Sequence, residues 1–163
     1  MVSIRGNVET RLRKLTEEEL DALVLAQAGL ERLGLAEAIV EVLDPAWMLP
    51  AVGQGALGLE CRAADSITIN LLRRIDDPLT RHAVLAEREF LRFLGGGCQV
   101  PIGALAGCTG QSITLRGVVL DTEGRQRIEA ELAGAARDAE ALGRQLAQQL
   151  LGQGAQALLQ RGS

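Results

Sequence analysis

Residues 102–132 alternate between apolar and polar positions in the way that predicts a small antiparallel sheet. Strands are predicted over 102–106, 113–120 and 126–132, and the segment Asp121-Thr122-Glu123-Gly124 favours a turn between the last two. In the third strand, period-two alternation sends one set of side chains to each face of the sheet. The inward set is Ile128, Ala130 and Leu132, and the set facing water is Arg127, Glu129 and Glu131.

Apolar residues at helical spacing flank this sheet in the sequence. Asp77 followed by Pro78 is a favourable helix start, and the helical pattern continues through Phe93. Its apolar face includes Ala83, Leu85, Phe90 and Leu94. A second helix is predicted from Asp138 to about Leu151, with one stripe packed against the sheet. That stripe consists of Ala139, Leu142, Leu146 and Leu150. A short last helix is predicted over 155–160.

The pattern before residue 77 is different. A basic helix is predicted after Arg5-Gly6-Asn7, and the continuous apolar run 21–26 is typical of a buried parallel strand. A brief helix follows over 27–34, the glycine-punctuated run 49–62 predicts another strand, and 66–74 predicts a short helix. The chain is therefore predicted to be α+β: a C-terminal three-stranded antiparallel sheet with covering helices, preceded by a partial α/β portion.

Composition narrows the possible functions. The 163 residues are 47% hydrophobic and 23% charged, as in a soluble globular protein. Aromatic residues make up only 2%, which leaves little for stacking on single-stranded nucleic acid, and the net charge of −4 argues against nucleic-acid or membrane-surface binding. Three widely spaced cysteines favour free thiols in a reducing compartment. Since no apolar span or signal-peptide pattern is present, a cytoplasmic protein is predicted.

One cysteine lies on a loop of unusual composition. The helix that ends near Phe93 runs into Gly95-Gly96-Gly97-Cys98, and the chain leaves through Val100-Pro101-Ile102-Gly103. Glycine permits positive φ and close approach of a ligand, and Pro101 gives the loop a defined exit. Two interpretations of Cys98 follow from the pattern alone: an attachment point or nucleophile on a shaped loop, or a buried cysteine at a helix end.

Positive charge gathers where the basic helix begins. The cluster consists of Arg5, Arg11, Arg13 and Lys14. Helix N-termini favour anions and arginine forks bind carboxylates, although a solvated basic helix face has the same pattern. His82 has no companion ligand at metal spacing, so no metal site is predicted. Cys61 and Cys108 lie in or near strand patterns and are expected to be structural.

Residues 87–103 resemble the cofactor-attachment signature of the porphobilinogen deaminase (hydroxymethylbilane synthase) family, in which a Glu-Arg-rich helix runs into Gly-Gly-Cys-x-Val-Pro-Ile-Gly. The matching positions are Glu87, Arg88, Phe90, Leu94, Gly96, Gly97, Cys98, Val100, Pro101, Ile102 and Gly103. Segments 5–15, 28–35 and 50–56 are similar to other segments of that family. The resemblance covers essentially all of this chain, but only the C-terminal half of family members.

The resemblance implies a cofactor site. Cys98 would carry a dipyrromethane through a thioether bond, with Gly97 beside it. Arg5 and Arg11 would bind the acetate and propionate groups of cofactor and substrate. The substrate-binding residues would be Arg32, which would face substrate carboxylates, and Gln54, for which a plain inter-domain hinge is an equal alternative.

The resemblance also implies a domain organisation. Residues 1–48 would be the remainder of an α/β substrate- and cofactor-binding domain of the periplasmic-binding-protein type. Residues 49–76 would supply a crossing strand and helix to that same domain. Residues 77–163 would form the C-terminal α+β domain that carries the cofactor cysteine.

The implied activity is that of a transferase in tetrapyrrole (haem and chlorophyll) biosynthesis. It condenses four porphobilinogen molecules into hydroxymethylbilane and releases ammonia. The family's catalytic aspartate lies in the half that has no counterpart here, so no catalytic residue is assigned and this chain alone is expected to be inactive. Expected partners are porphobilinogen and the missing N-terminal half, in a monomeric protein. The alternative is an inactive fragment, or an α+β binding or regulatory module that retains the cysteine loop.

Overall fold

The computed structural model describes residues 2–54, 56–95 and 101–160. The chain forms two compact units, Met1–Leu43 and Asp44–Ser163. Each unit has its own secondary structure, and the larger one contains the sheet.

The first unit consists of short helices and extended segments. Helix α1 spans Val8–Glu17 and helix α2 spans Gln27–Arg32, followed by a single 3₁₀ turn at Ala36–Ala38. Asn7 caps α1, because its Oδ1 accepts the Thr10 N–H at 2.8 Å. Both predicted helices are therefore confirmed.

The second unit is built on a three-stranded antiparallel sheet in the order β1-β2-β3. The strands are β1 (Ile102–Thr109), β2 (Ser112–Leu120) and β3 (Arg127–Ala135). The turn predicted over 121–124 joins β2 to β3, with the Gly124 N–H donating to the Asp121 carbonyl at 3.0 Å. The predicted sheet and the α+β class are confirmed.

Helices cover this sheet. They are α4 (Pro78–Phe93), α5 (Ala139–Gly152) and α6 (Ala155–Gln160). A further helix, α3 (Ser66–Leu72), precedes them and has no buried residue. Helices α4, α5 and α6 share one hydrophobic core with the strands. The largest fully buried side chains of this core are Phe90, Ile113, Leu115, Val119, Leu146 and Leu150. Fully burying each such side chain stabilises the fold by about 1.5–3 kcal/mol. The predicted stripe of α5 is buried along its whole length.

Helix α4 begins and ends at the predicted residues. Asp77 Oδ1 accepts the Thr80 N–H at 2.7 Å, and Pro78 follows it at the first helical position. The helix ends because Gly95 adopts φ +68, a left-handed conformation that suits glycine. This helix leads directly to the cysteine loop.

Two arginines of the sheet hold the segment that enters the second unit. Arg116 donates to the carbonyls of Pro45 and Ala46, at 3.3 and 2.5 Å, and Arg127 donates to the Trp47 carbonyl at 3.1 Å. Both guanidinium groups also contact the Glu129 carboxylate. The segment 45–47 is thereby fixed against the sheet by main-chain contacts.

Two sequence predictions are wrong. Residues 21–26 form no strand in the structure as described, and their side chains are exposed or half-buried instead of buried. The run 49–62 pairs with other described residues only at one isolated bridge, Ala51 to Gly103, and leaves Leu57 and Leu59 exposed. A strand requires a partner for its main-chain groups, and apolar composition alone does not supply one.

Candidate functional site

The start of α1 positions two of the predicted arginines. The Arg11 Nε donates to the Gly6 carbonyl at 2.8 Å, which holds the half-buried guanidinium against the turn that follows Arg5. Arg5 itself is exposed. This hydrogen bond places the Arg11 guanidinium beside the main chain of Gly6, the residue that follows Arg5.

The cations of this cluster divide into two pairs. Arg13 forms an ion pair with Glu17 at 3.0 Å, and Lys14 forms one with Glu18 at 3.6 Å. Arg5 and Arg11 form no ion pair with any described residue. Apart from the Arg11 Nε, which donates to Gly6, their donors form no hydrogen bond with the described residues. An arginine fork of this kind is well suited to carboxylates.

Arg32 is the last residue of α2, in the same unit. It is exposed, and within residues 2–54, 56–95 and 101–160 it has no carboxylate partner; the nearby Glu31 instead accepts from Gln27 Nε2 at 2.7 Å. Helix α2 lies beside α1, since a Cβ built on Gly29 would come within 3.9 Å of the Val8 side chain. All three predicted carboxylate-binding arginines thus belong to the first unit.

In the second unit, residues 49–54, here called the crossing segment, lie along the free edge of β1. The Ala104 N–H donates to the Pro50 carbonyl at 3.1 Å, next to the Ala51–Gly103 bridge. Glycine at position 103 permits this close approach, because a Cβ there would come within 3.1 Å of the Leu49 side chain. The crossing segment then turns at Gly53, where φ is +73.

A buried carboxylate holds this turn to the sheet. Glu87 of α4 accepts the Gly53 N–H on Oε2 and the Ala106 N–H on Oε1, both at 2.8 Å. Its side chain is only 5% exposed, and none of the ion pairs in the part of the chain that the structure describes includes it. Burial raises the pKa of Glu87, and the two N–H bonds that favour the charged form do not fully offset this effect.

Gln54 follows the turn and lines a small cavity of about 250 Å³. Its polar lining includes Gln54, Thr80, Glu87 and Cys108. Burial raises the pKa of the Cys108 thiol, which disfavours the reactive thiolate and agrees with a structural role. Cys61 is half-buried but lies outside any strand, contrary to its predicted position.

Cys98 and Gly97 lie outside the described residues, so their predicted role stays a prediction. The described chain stops at Gly95 and resumes at Pro101. What the structure does fix is the pair of elements that flank the loop, α4 before it and β1 after it.

A second cavity, of about 480 Å³, lies at the start of α4. His82 and Arg137 line it, and the buried His82 Nδ1 has no hydrogen-bond partner among residues 2–54, 56–95 and 101–160. Among the described residues, no group of three His, Cys, Asp or Glu side chains is placed to hold a metal ion. Nor is any helix described here both long and apolar enough to cross a membrane.

Two family models match the chain. Residues 1–70 match the model described as "Porphobilinogen deaminase, dipyromethane cofactor binding domain", and residues 82–152 match "Porphobilinogen deaminase, C-terminal domain". The chain belongs to the porphobilinogen deaminase family. The resemblance seen in the sequence is therefore confirmed, and the arginine-bearing unit falls within the family's cofactor-binding domain.

Curated relatives agree with this assignment. The chain is 53% identical to the porphobilinogen deaminase of Syntrophotalea carbinolica and 50% identical to that of Roseiflexus castenholzii, each over 159 residues. It is 48% identical to the porphobilinogen deaminase of Geobacter sulfurreducens, also over 159 residues. These matches include 98% of this chain but only 50–52% of the relatives. The chain thus spans about half the length of the deaminases it matches.

Sequence reasoning missed the role of Glu87, although it matched that residue to the family signature. A signal was present in the helix pattern. Glu87 lies between Ala83 and Phe90 at the spacing of the apolar face, where a carboxylate indicates a buried polar partner. Those partners are main-chain N–H groups distant in sequence, so periodicity alone does not identify them.

Proposed function

We propose that this chain is the cofactor-carrying half of a porphobilinogen deaminase. The complete reaction adds four porphobilinogen molecules in turn to the cofactor, with one ammonia released for each carbon–carbon bond formed. Water then cleaves the bond to the cofactor and supplies the hydroxyl group of the released hydroxymethylbilane. The observation that carries the proposal is the sequence identity to porphobilinogen deaminases, about 50% over 98% of this chain. The matched span includes the cysteine loop.

The charge distribution of the first unit supports a polyanionic ligand. Each pyrrole of the cofactor and substrate carries two carboxylates, and Arg5, Arg11 and Arg32 lack carboxylate partners among the described residues, whereas Arg13 and Lys14 have them. The donor set therefore fits a dipyrromethane. The three arginines would bind and orient these carboxylates and lower the electrostatic cost of a lengthening anionic chain.

Cys98 would hold the cofactor. Its thiolate is a strong nucleophile toward the methylene carbon of an aminomethylpyrrole; the carbon–sulfur bond forms, the carbon–nitrogen bond breaks, and ammonia leaves with the thiol proton. Once bound, the dipyrromethane supplies the nucleophilic pyrrole from which the product grows. Gln54, presented at the cavity beside Glu87, would contact substrate.

The proposed domain organisation assigns 1–48 and 49–76 to a substrate- and cofactor-binding domain and 77–163 to the C-terminal domain. The exposed apolar residues of 49–76 support this division, because they have no described partner in the C-terminal unit. We further propose that the protein acts as a cytoplasmic monomer once the other half of the deaminase is present.

Intact mass spectrometry of the chain purified from a haem-synthesising host tests the tether. We expect an adduct of dipyrromethane mass that gives the colour reaction of a pyrrole with Ehrlich's reagent. Cys98→Ser should abolish the adduct, whereas Cys61→Ser and Cys108→Ser should retain it. A bare thiol in the chain co-produced with the N-terminal half of a relative would contradict the proposal and favour a non-enzymatic binding module.

A further inference from the structure

Strand β1 forms an edge of the sheet, so its outward N–H groups need acceptors from elsewhere. The Ala104 N–H finds the Pro50 carbonyl, but the next outward group, the Ala106 N–H, donates to Glu87 Oε1. Pairing with the crossing segment therefore stops at the point where the Glu87 carboxylate takes the place of a strand.

The second oxygen of Glu87 holds the turn at the end of the crossing segment. It accepts the N–H of Gly53, the residue whose left-handed conformation forms that turn. Two main-chain donors require two acceptors and no competing donor, and among side chains of this length only a carboxylate provides them. A buried carboxylate without a cation is costly, so a helix position used merely for packing would favour an apolar residue.

Glu87 also connects the two flanks of the cysteine loop. It belongs to α4, which enters the loop, and it binds the main chain of β1, into which the loop exits. We propose that Glu87 is a positioning residue that holds α4, the middle of β1 and the turn before Gln54 in one arrangement. Its relevance to cofactor attachment rests on the proposed function, but the geometry that it controls can be measured without the cofactor.

The test compares Glu87→Gln with the unaltered chain, both prepared without cofactor in a host that cannot make porphobilinogen. Gln keeps the shape of the side chain but offers one acceptor, so one main-chain donor loses its partner. We expect amide exchange at Gly53 or Ala106 to rise about tenfold or more, with exchange in the core of β2 changed much less. The alkylation rate of Cys98 by iodoacetamide, followed by peptide mass spectrometry, should change about threefold or more. Glu131→Gln, an exposed change on β3, is the matched control.

A uniform rise in exchange across β2 and α5 would overturn the proposal, because it would show that Glu87 only stabilises the fold. An unchanged Cys98 alkylation rate would also overturn it. If Glu87→Gln folds poorly, Glu87→Asp keeps both acceptors on a shorter side chain, and the same local pattern is expected at Gly53 and Ala106. Failure of the proposed function would instead appear as a missing pyrrole adduct, which these two measurements do not require.

Discussion

Single glycines set how closely α4 and α5 approach. At Gly143 of α5, a Cβ would meet the main chain of α4, including the Phe90 nitrogen at 3.0 Å. Main-chain atoms of a packed helix cannot move aside as the end of a flexible side chain can. The helix crossing therefore depends on the absence of a side chain at this residue.

Gly143→Ala should destabilise the protein by about 1–3 kcal/mol, because the overpacked crossing must open. Gly152→Ala is the matched control: it lies at the end of the same helix with no atom within 4 Å of a built Cβ. There the higher helix propensity of alanine should stabilise by up to about 1 kcal/mol. Urea unfolding followed by circular dichroism measures both. Equal effects of the same sign would contradict the packing argument.

A second residue-scale feature is the ion-pair network at Glu89. This carboxylate is 8% exposed and accepts from Arg92 at 2.6 Å and from Arg144 at 2.8 Å. Hydrogen bonds from Arg92 and then Arg144 lower the pKa of Glu89 from its ordinary 4.5 to about 2. The folded state thus keeps a charge that the unfolded chain loses as soon as the pH falls below the ordinary value.

Because the pKa of Glu89 is lower in the folded state, its contribution to stability is present above about pH 4.5 and is lost as the pH falls toward about 2. The difference in unfolding free energy between the unaltered chain and Glu89→Gln should therefore shrink across this range. Urea unfolding at a series of pH values measures it, with Glu131→Gln as the control. Parallel curves for the unaltered chain and Glu89→Gln would show that the network does not act in this way.

At the scale of elements, the sequence predicts well those that find partners within this chain. Helix α4 has its own cap and stop, and β2 and β3 are joined by a turn and pair with each other. The wrong strands, 21–26 and 49–62, are apolar runs that find no strand partner among the described residues beyond the single Ala51–Gly103 bridge. An apolar pattern predicts that a segment is buried, but it does not identify the element that buries it.

The candidate site shows the same limit at the level of side chains. Arg5, Arg11 and Arg32 were identified through the family resemblance, because charge alone does not distinguish a ligand-binding arginine from a solvated one. Their lack of described carboxylate partners became visible only in the structure. Glu87 was matched but not understood, since its function depends on two N–H groups 34 and 19 residues away.

At the scale of the whole molecule, buried and exposed apolar residues are unevenly distributed. Among the described residues before α4, Leu30 is the one buried apolar side chain, whereas α4 and the elements after it contain the core.

In the second unit, α3 and the residues just after it expose Ile67, Leu71 and Ile75 by 76, 57 and 69%. The spacing i, i+4 and i+8 places these three residues on one helical face. The extended residues Leu57 and Leu59 are likewise exposed on alternate positions. An exposed apolar helix face with further exposed leucines in the same unit indicates a surface that another polypeptide segment covers.

The segment that we expect to cover them is the N-terminal half that the matched deaminases have beyond the 50–52% shared with this chain. Adding that half of the Syntrophotalea carbinolica protein should give a one-to-one complex by light scattering, protect 57–61 and 66–72 from amide exchange, and produce hydroxymethylbilane that neither half produces alone.

Charged substitutions on the exposed stripe, Ile67→Asp with Leu71→Asp, should weaken association about tenfold or more, because each buries a charge against an apolar surface. Leu105→Asp, at an exposed apolar residue of β1, is the control and should leave association unchanged. Turnover by this chain alone, or a complex indifferent to the stripe, would show that the apolar face of α3 has another role.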